Sequence, residues 1–314
     1  MRRIKSNLTT NSAEYKEYKR HNQKLIAEFQ QRQEKVRHDR PQRDLDRLAK
    51  QNKMLPRERL QLLLDPGTPF LEFSSLAACE SYDGAAPGAN CITGIGIVGG
   101  REVVINASDS SNKGGAWFPL TVKKTLRALD IAIENHLPVI HMCDSAGGYL
   151  PLQSDLFGDK YMGGRIFRNQ TQLSKMGCKQ LALVFGHCTA GGAYVPALSD
   201  YSVIVNGTGA VFLGGPPLVK AATGEDVSVD ELGGARMHTS ISGTCDYYAD
   251  NEREAIAIGR EIVAQWEQKL KFPLQRETPE DPYYDPSELY GIIPNDIKKQ
   301  FDIREVIARI VDGS

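Results

Sequence analysis

The chain has 314 residues and carries 38 Lys and Arg against 39 Asp and Glu, so it has no global basic field for nucleic acid or an anionic membrane, and any anion site is local. Its six cysteines, Cys79, Cys91, Cys143, Cys178, Cys188 and Cys245, are scattered without CxxC pairs, which argues against a zinc ribbon and for reduced thiols. The N-terminus has no apolar signal region and carries Glu14 and Glu17, no apolar run approaches the roughly 18 residues of a membrane span, and the expected location is cytoplasmic, or the mitochondrial matrix in a eukaryote.

Residues 12–64 are rich in Lys, Arg, Glu and Gln, with Leu25, Ile26, Phe29, Val36, Leu45, Leu48 and Leu55 at helix-like intervals. This pattern predicts an amphipathic arm, residues 1–69, packing on the domain or on a neighbouring subunit. From Phe70 the texture changes, and apolar or β-branched runs at 92–98, 103–105, 139–142, 181–185, 202–205 and 210–213 predict strands. Helical patterns at 121–135 and 164–176 lie between them, and a third at 252–270 places Ala255, Ile258, Ile262 and Trp266 on one face. Alternating strands and helices make residues 70–271 one α/β core. The Pro- and Tyr-rich stretch 272–294 breaks regular structure, and 301–311 resumes a short helical pattern, after which the ending reads as a boundary within a larger protein.

Four glycine-rich segments carry the chemistry. Cys143-Asp144-Ser145-Ala146-Gly147-Gly148 and Cys188-Thr189-Ala190-Gly191-Gly192-Ala193 each follow a predicted strand. Each glycine pair is either a tight turn or a cluster of backbone N–H groups aimed at an anion, where glycine admits backbone angles and a ligand approach that a β-carbon would obstruct. Lys113-Gly114-Gly115 precedes a predicted helix bearing Lys123, Lys124 and Arg127, cations that are either solvated or in contact with a polyphosphate. Gly214 and Gly215, in Phe212-Leu213-Gly214-Gly215-Pro216-Pro217, suit a shaped wall. No Walker loop, GxGxxG or GxSxG occurs, and His136, His141, His187 and His238 lack metal spacing, so no metal is expected. Backbone amides therefore explain the glycine usage better than a side-chain nucleophile.

Arg57-Glu58-Arg59-Leu60-Gln61-Leu62-Leu63-Leu64-Asp65, the Lys113 and Asp144 segments, Thr189-Ala190-Gly191-Gly192-Ala193-Tyr194-Val195-Pro196-Ala197, the Phe212 segment through Lys220, and Glu231-Leu232-Gly233-Gly234-Ala235 together resemble the carboxyltransferase subunits of biotin-dependent acyl-CoA carboxylases. The likeness runs over nearly the whole chain and is greatest to the methylcrotonyl-CoA and geranyl-CoA carboxylase branch. That branch commonly has an Arg where this chain has Leu152, and Tyr149 is a further departure. The resemblance implies a crotonase-like spiral of ββα units with an N-terminal helical arm. It implies transfer of CO2 from carboxybiotin, carried by a biotin carboxylase and carrier subunit, to an acyl-CoA. It further implies a C-terminal carboxyltransferase domain as partner to this acyl-CoA-binding half, with 272–314 as the linker toward it, a trimer or hexamer for the complete subunit, and an inactive isolated chain. Gly191 and Gly192 are then the first choice for the oxyanion-hole amides. Lys113, Gly114, Gly115, Ala146, Gly147, Gly148, Ala193, Gly214 and Gly215 line the CoA-ester site. The rival readings are a crotonase-fold hydratase or thioesterase using Asp144 and Glu225 as an acid/base pair, and a non-catalytic acyl-CoA-binding domain.

Overall fold

The computed structural model describes residues 3–156, 159–267 and 278–314. The chain forms two compact units, Met1–Lys35 with Lys269–Ser314, and Val36–Gln268. Helices along the chain are α1 (Ala13–His38), α2 (Gln42–Lys50), α3 (Pro56–Leu63), α4 (Pro119–Asn135), α5 (Gly163–Lys175), α6 (Tyr194–Ala197), α7 (Pro216–Thr223), α8 (Val229–Gly233), α9 (Ala235–Ser240), α10 (Glu252–Ala264) and α11 (Ile303–Ile307). Strands are β1 (Leu71–Phe73), β2 (Cys91–Val98), β3 (Arg101–Ser108), β4 (Val139–Ser145), β5 (Gln180–Thr189), β6 (Tyr201–Val205), β7 (Ala210–Phe212) and β8 (Tyr247–Ala249).

In the larger unit these strands form one sheet in the order β1-β2-β3-β4-β5-β6-β8, with β7 paired to β5. Strands β1, β2 and β3 are antiparallel. Gly99 and Gly100, both with positive φ, turn the β2–β3 hairpin, and Asp65 accepts both of their N–H groups at 2.9 and 2.8 Å. From β3 onward the pairing is parallel, so each step needs a crossover, and α4 and α5 supply the first two. Every residue of β4 and the first seven of β5 are buried, which is why these strands appear in the sequence as apolar runs rather than alternations.

Apolar clusters pack on the sheet. Leu60 and Leu63 of α3 and Ile256, Ile262 and Val263 of α10 pack on one face with Ile140, Leu181, Leu183 and Val203. Val122, Leu126 and Leu129 of α4 pack on the other with Val104, Val139 and, from α5, Ile166 and Leu173. Each such side chain contributes about 1.5–3 kcal/mol when fully buried. In the smaller unit Arg309 is buried against Glu288 at 2.6 Å, Glu305 at 2.9 Å and Ser6 Oγ at 3.1 Å, and Gly291 leaves room for the Tyr15 ring.

Strand and helix order agrees with the sequence pattern, with shifts at the ends. Helix α4 starts two residues before the expected 121, because Pro119 needs no N–H at the first turn and Thr121 Oγ1 accepts the Phe118 N–H at 2.9 Å. The pattern at 301–311 holds a helix only over α11. The end of the predicted helix 252–270 and the start of the 272–294 stretch lie outside the described residues. All six cysteines are free, and five of them are buried.

Candidate active site

The parallel strands place their C-terminal ends together, where open α/β sheets bind ligands. The loop after β3 and the loop after β4 are laced to one another. Ser145 Oγ donates to the Gly115 carbonyl at 2.7 Å, Ala146 N–H to the Gly114 carbonyl at 2.9 Å, Trp117 N–H to the Gly147 carbonyl at 2.9 Å and Tyr149 N–H to the Trp117 carbonyl at 2.8 Å. Gly147 also abuts the turn after β5, since a Cβ on it would stand 3.4 Å from the Thr189 carbonyl oxygen. Phe212 of β7 pairs with Thr189, so Gly214 and Gly215 leave the sheet beside that turn. The segments holding Lys113, Gly114, Gly115, Ala146, Gly147, Gly148, Gly191, Gly192, Ala193, Gly214 and Gly215 thus meet along one rim.

The turn after β5 differs from expectation in its backbone. The left-handed residue is Ala190, with φ +52°, and neither Gly191 nor Gly192 has positive φ. Relief of strain is therefore not why glycine stands at 191 and 192. A Cβ on Gly192 would meet nothing within 4 Å, and one on Gly191 would meet only Phe167 Cζ at 3.5 Å. Room for further atoms is thus left against both residues, although Gly192 is itself buried and Gly191 half-buried, and a ligand could come close to the backbone. A left-handed residue followed by helical ones also turns successive N–H groups to one side, the geometry of an anion nest.

A small cavity of about 30 Å³ adjoins the turn, lined in part by Gly192, Val195, Ser145, Cys143, Cys188 and His141. His141 is buried with neither ring nitrogen hydrogen-bonded, and burial lowers its pKa to about 4, with neighbouring Gln180 opposing the shift. A larger cavity of about 330 Å³, lined by Arg47, Lys53, Ser110, Gly114, Ala146 and His187 among others, opens on the α2–α3 side. Burial also lowers the pKa of His187, with the Lys53 charge reinforcing the shift.

The charged groups sort themselves by burial. Asp144, the penultimate residue of β4, accepts from Lys53 Nζ at 2.7 Å, Arg59 Nη1 at 2.9 Å and Ser110 Oγ at 2.7 Å. Burial alone would raise its pKa, but the Arg59 and Lys53 charges hold it below the ordinary carboxylate value. Arg59 in turn holds Glu252 at 2.6 and 2.9 Å. Glu225 is exposed on the loop after α7, while Asp144 is fully engaged, so the pair required by a hydratase is not assembled. Lys124 is a second correction: it is buried on α4 and donates to the carbonyls of Gly88 and Cys91 at 2.9 and 2.7 Å, with burial lowering its pKa. It cannot reach a phosphate, whereas Lys113, Lys123 and Arg127 are exposed. Sequence reasoning missed Lys53, Arg59 and Glu252 as neighbours of the site. Among the described residues no cluster of His, Cys, Asp and Glu could hold a metal.

A carboxyl transferase domain family model matches residues 47–314. The chain belongs to the carboxyl transferase family. It is 51% identical over 306 residues to the mitochondrial methylcrotonoyl-CoA carboxylase beta chain of Dictyostelium discoideum, covering 97% of this chain and 52% of that one. The geranyl-CoA carboxylase beta subunit of P. aeruginosa superposes with a TM-score of 0.88 at 40% identity, covering 99% of this chain and 58% of that one. A chain of the transcarboxylase 12S structure, described as a hexamer assembly with hydrolysed methylmalonyl-CoA bound, superposes with a TM-score of 0.70 at 29% identity, covering 91% of this chain and 56% of that one. The fold is the crotonase-like α/β fold of these carboxyltransferases, and the chain spans about half the length of the relatives it matches.

Proposed function

We propose that this chain is the acyl-CoA-binding half of a biotin-dependent carboxyltransferase, with a branched enoyl-CoA of the methylcrotonyl type as acceptor. The observation that carries the reading is the backbone turn at Gly191 and Gly192, with room for further atoms against both, set where the loops from β3, β4 and β7 meet it. The thioester carbonyl would lie against the N–H groups of Gly191 and Gly192, and Gly147 and Gly148 would form the pocket floor. As the acceptor carbon loses its proton, negative charge moves onto that carbonyl oxygen, and each oriented N–H lowers the barrier by about 3–4 kcal/mol. Biotin, brought by a partner carrier subunit, would supply the activated carboxyl group and, once that group has left, the ring nitrogen that takes the acceptor carbon's proton. Gly114, Gly115, Ala146, Ala193, Gly214 and Gly215 would line the acyl and pantetheine path, with exposed Lys113 within reach of phosphate. The names of the relatives support the branched acyl group, a biotin-dependent reaction, an oligomeric subunit and, in a eukaryote, a mitochondrial setting. A second carboxyltransferase domain would complete the site.

The test is Gly191→Val and Gly192→Val in the complete carboxylase, with turnover, CoA-ester affinity and thermal stability measured together. The room left against both glycines predicts that both variants fold. Turnover falls about 10²- to 10³-fold while CoA-ester affinity changes little, because ground-state binding rests on groups remote from the turn. Near-normal turnover, or a loss matched by unfolding, would return the glycine pair to a structural turn.

A further inference from the structure

Strands β4 and β5 pair from Val139↔Gln180 to Cys143↔Val184 and resume at Ser145↔Cys188. One residue of β4, Asp144, therefore faces three of β5, namely Phe185, Gly186 and His187. The break divides β5 into a part that pairs with β6 through Leu181–Val184 and a part that pairs with β7 through His187–Thr189. Irregularities of this kind re-aim a strand and cluster beside active sites.

The Asp144 carboxylate occupies the break. A Cβ on Gly186 would collide with Asp144 Oδ1 and stand 2.6 Å from Lys53 Nζ, so only glycine lets the charged pair lie across β5. Oδ1 takes the Lys53 ammonium, and Oδ2 takes both Arg59 and Ser110. Arg59 stands over the Phe185 ring, 4.7 Å from its centroid, and is anchored by Glu252. Ser110 leads into the Lys113-Gly114-Gly115 loop, Ser145 follows Asp144 directly, and the β5 bend leads into the 189–192 turn. Buried ion pairs seldom stabilise a fold more than apolar side chains of the same volume would, so stability alone does not account for three charges at this point.

We propose that Asp144, held by Lys53 and Arg59, is a positioning residue that sets the 145–148 loop and the 189–192 turn at the spacing the reacting thioester requires. The proposal rests on the carboxyltransferase reading of those loops. It is tested in the complete subunit assembled with its biotin-carrying partner, using Asp144→Asn, Ser110→Ala and the double variant Lys53→Met/Asp144→Asn. Asparagine keeps the shape of Asp144 but leaves the Lys53 ammonium buried without a counter-charge, and the double variant removes that cation.

The expected result is a fall in kcat of about 10²-fold in both Asp144 variants, with KM for the acyl-CoA within about twofold of the parent. In the double variant the melting temperature returns toward the parent while kcat does not. Ser110→Ala lowers kcat less, because two of the three contacts remain. Amide hydrogen exchange at 145–148 and 189–193 speeds up in both Asp144 variants, while α4 and β6 are unchanged. Recovery of kcat together with stability in the double variant, or unchanged exchange in the two loops, would overturn the proposal. A parent enzyme that transfers no carboxyl group would sink the carboxyltransferase reading instead. The exchange measurement would still decide the positioning role, faster loops supporting it and unchanged loops refuting it.

Discussion

Arg59 is 1% exposed, yet its guanidinium meets two carboxylates, Asp144 and Glu252. Burial would lower its pKa, but Asp144 and Glu252 outweigh that and raise it. Removing the cation leaves Glu252 buried without its bidentate partner. Arg59→Met should therefore cost about 3–5 kcal/mol of folding stability, measured by denaturant unfolding, and a loss below about 1 kcal/mol would contradict the network as described. The position was legible in principle. Pro56, Arg59, Leu60 and Leu63 are the buried residues of α3, and their spacing is that of one helical face, so a charge stood inside an apolar stripe. Its two acceptors, 85 and 193 residues away in sequence, left no such signal. His141 makes a prediction about pH. Burial depresses its pKa from the ordinary 6.5 to about 4, so the folded state favours the neutral ring. The stability this contributes is complete above about pH 6.5 and is lost as pH falls toward 4, amounting to about 3 kcal/mol. Unfolding free energy measured from pH 7 to 5, above the range where the paired carboxylates Asp144, Asp65, Glu72 and Glu305 take up protons, should slope downward, and His141→Leu should flatten most of that slope, with His187 supplying a further part. An unchanged slope in that variant would place the pH sensitivity elsewhere.

Helix α3 carries its apolar work and its charge on one short segment. Leu63 is fully buried against the sheet face that α10 also covers. Leu63→Ala should destabilise by about 2–5 kcal/mol by leaving a cavity. Because α3 also presents Arg59 to Asp144, the same variant should lower carboxyl transfer at temperatures where it remains folded; full activity there would show the helix to be mechanically uncoupled from the site. At this scale the sequence is informative where one element reports on itself. Apolar runs mark the parallel strands, and 3.6-residue periodicity marks α4, α5 and α10. It is silent where a partner decides the outcome. Strands β1 and β8 are three residues each and exist through pairing with β2 and β6. The bend in β5 depends on where β6 and β7 pair. Lys124 reads as a surface cation in the sequence, although it shares the buried face of α4 with Thr121, Thr125 and Ala128, where carbonyl acceptors from the 88–91 segment satisfy it.

For the molecule as a whole, the glycine-rich segments are visible in the sequence because each sits at a strand end, and the fold explains why they act together: the strands are parallel and finish on one rim. Of the two reasons the sequence offers for glycine at 191 and 192, backbone angles and close approach of a ligand, the fold removes the first and leaves the second. A rim built of amides, with the Asp144 carboxylate at its base already paired, suits a reaction in which charge develops on a thioester oxygen and the activated carboxyl group arrives from a partner. The measurement that bears most directly on this account is labelled-bicarbonate fixation by the complete subunit assembled with a biotin-carrying partner and ATP, across a panel of acetyl-, propionyl- and 3-methylcrotonyl-CoA, with and without avidin. The account predicts acid-stable label in the CoA ester, greatest with 3-methylcrotonyl-CoA and abolished by avidin. Turnover of a CoA ester that proceeds without biotin and ignores avidin would contradict it.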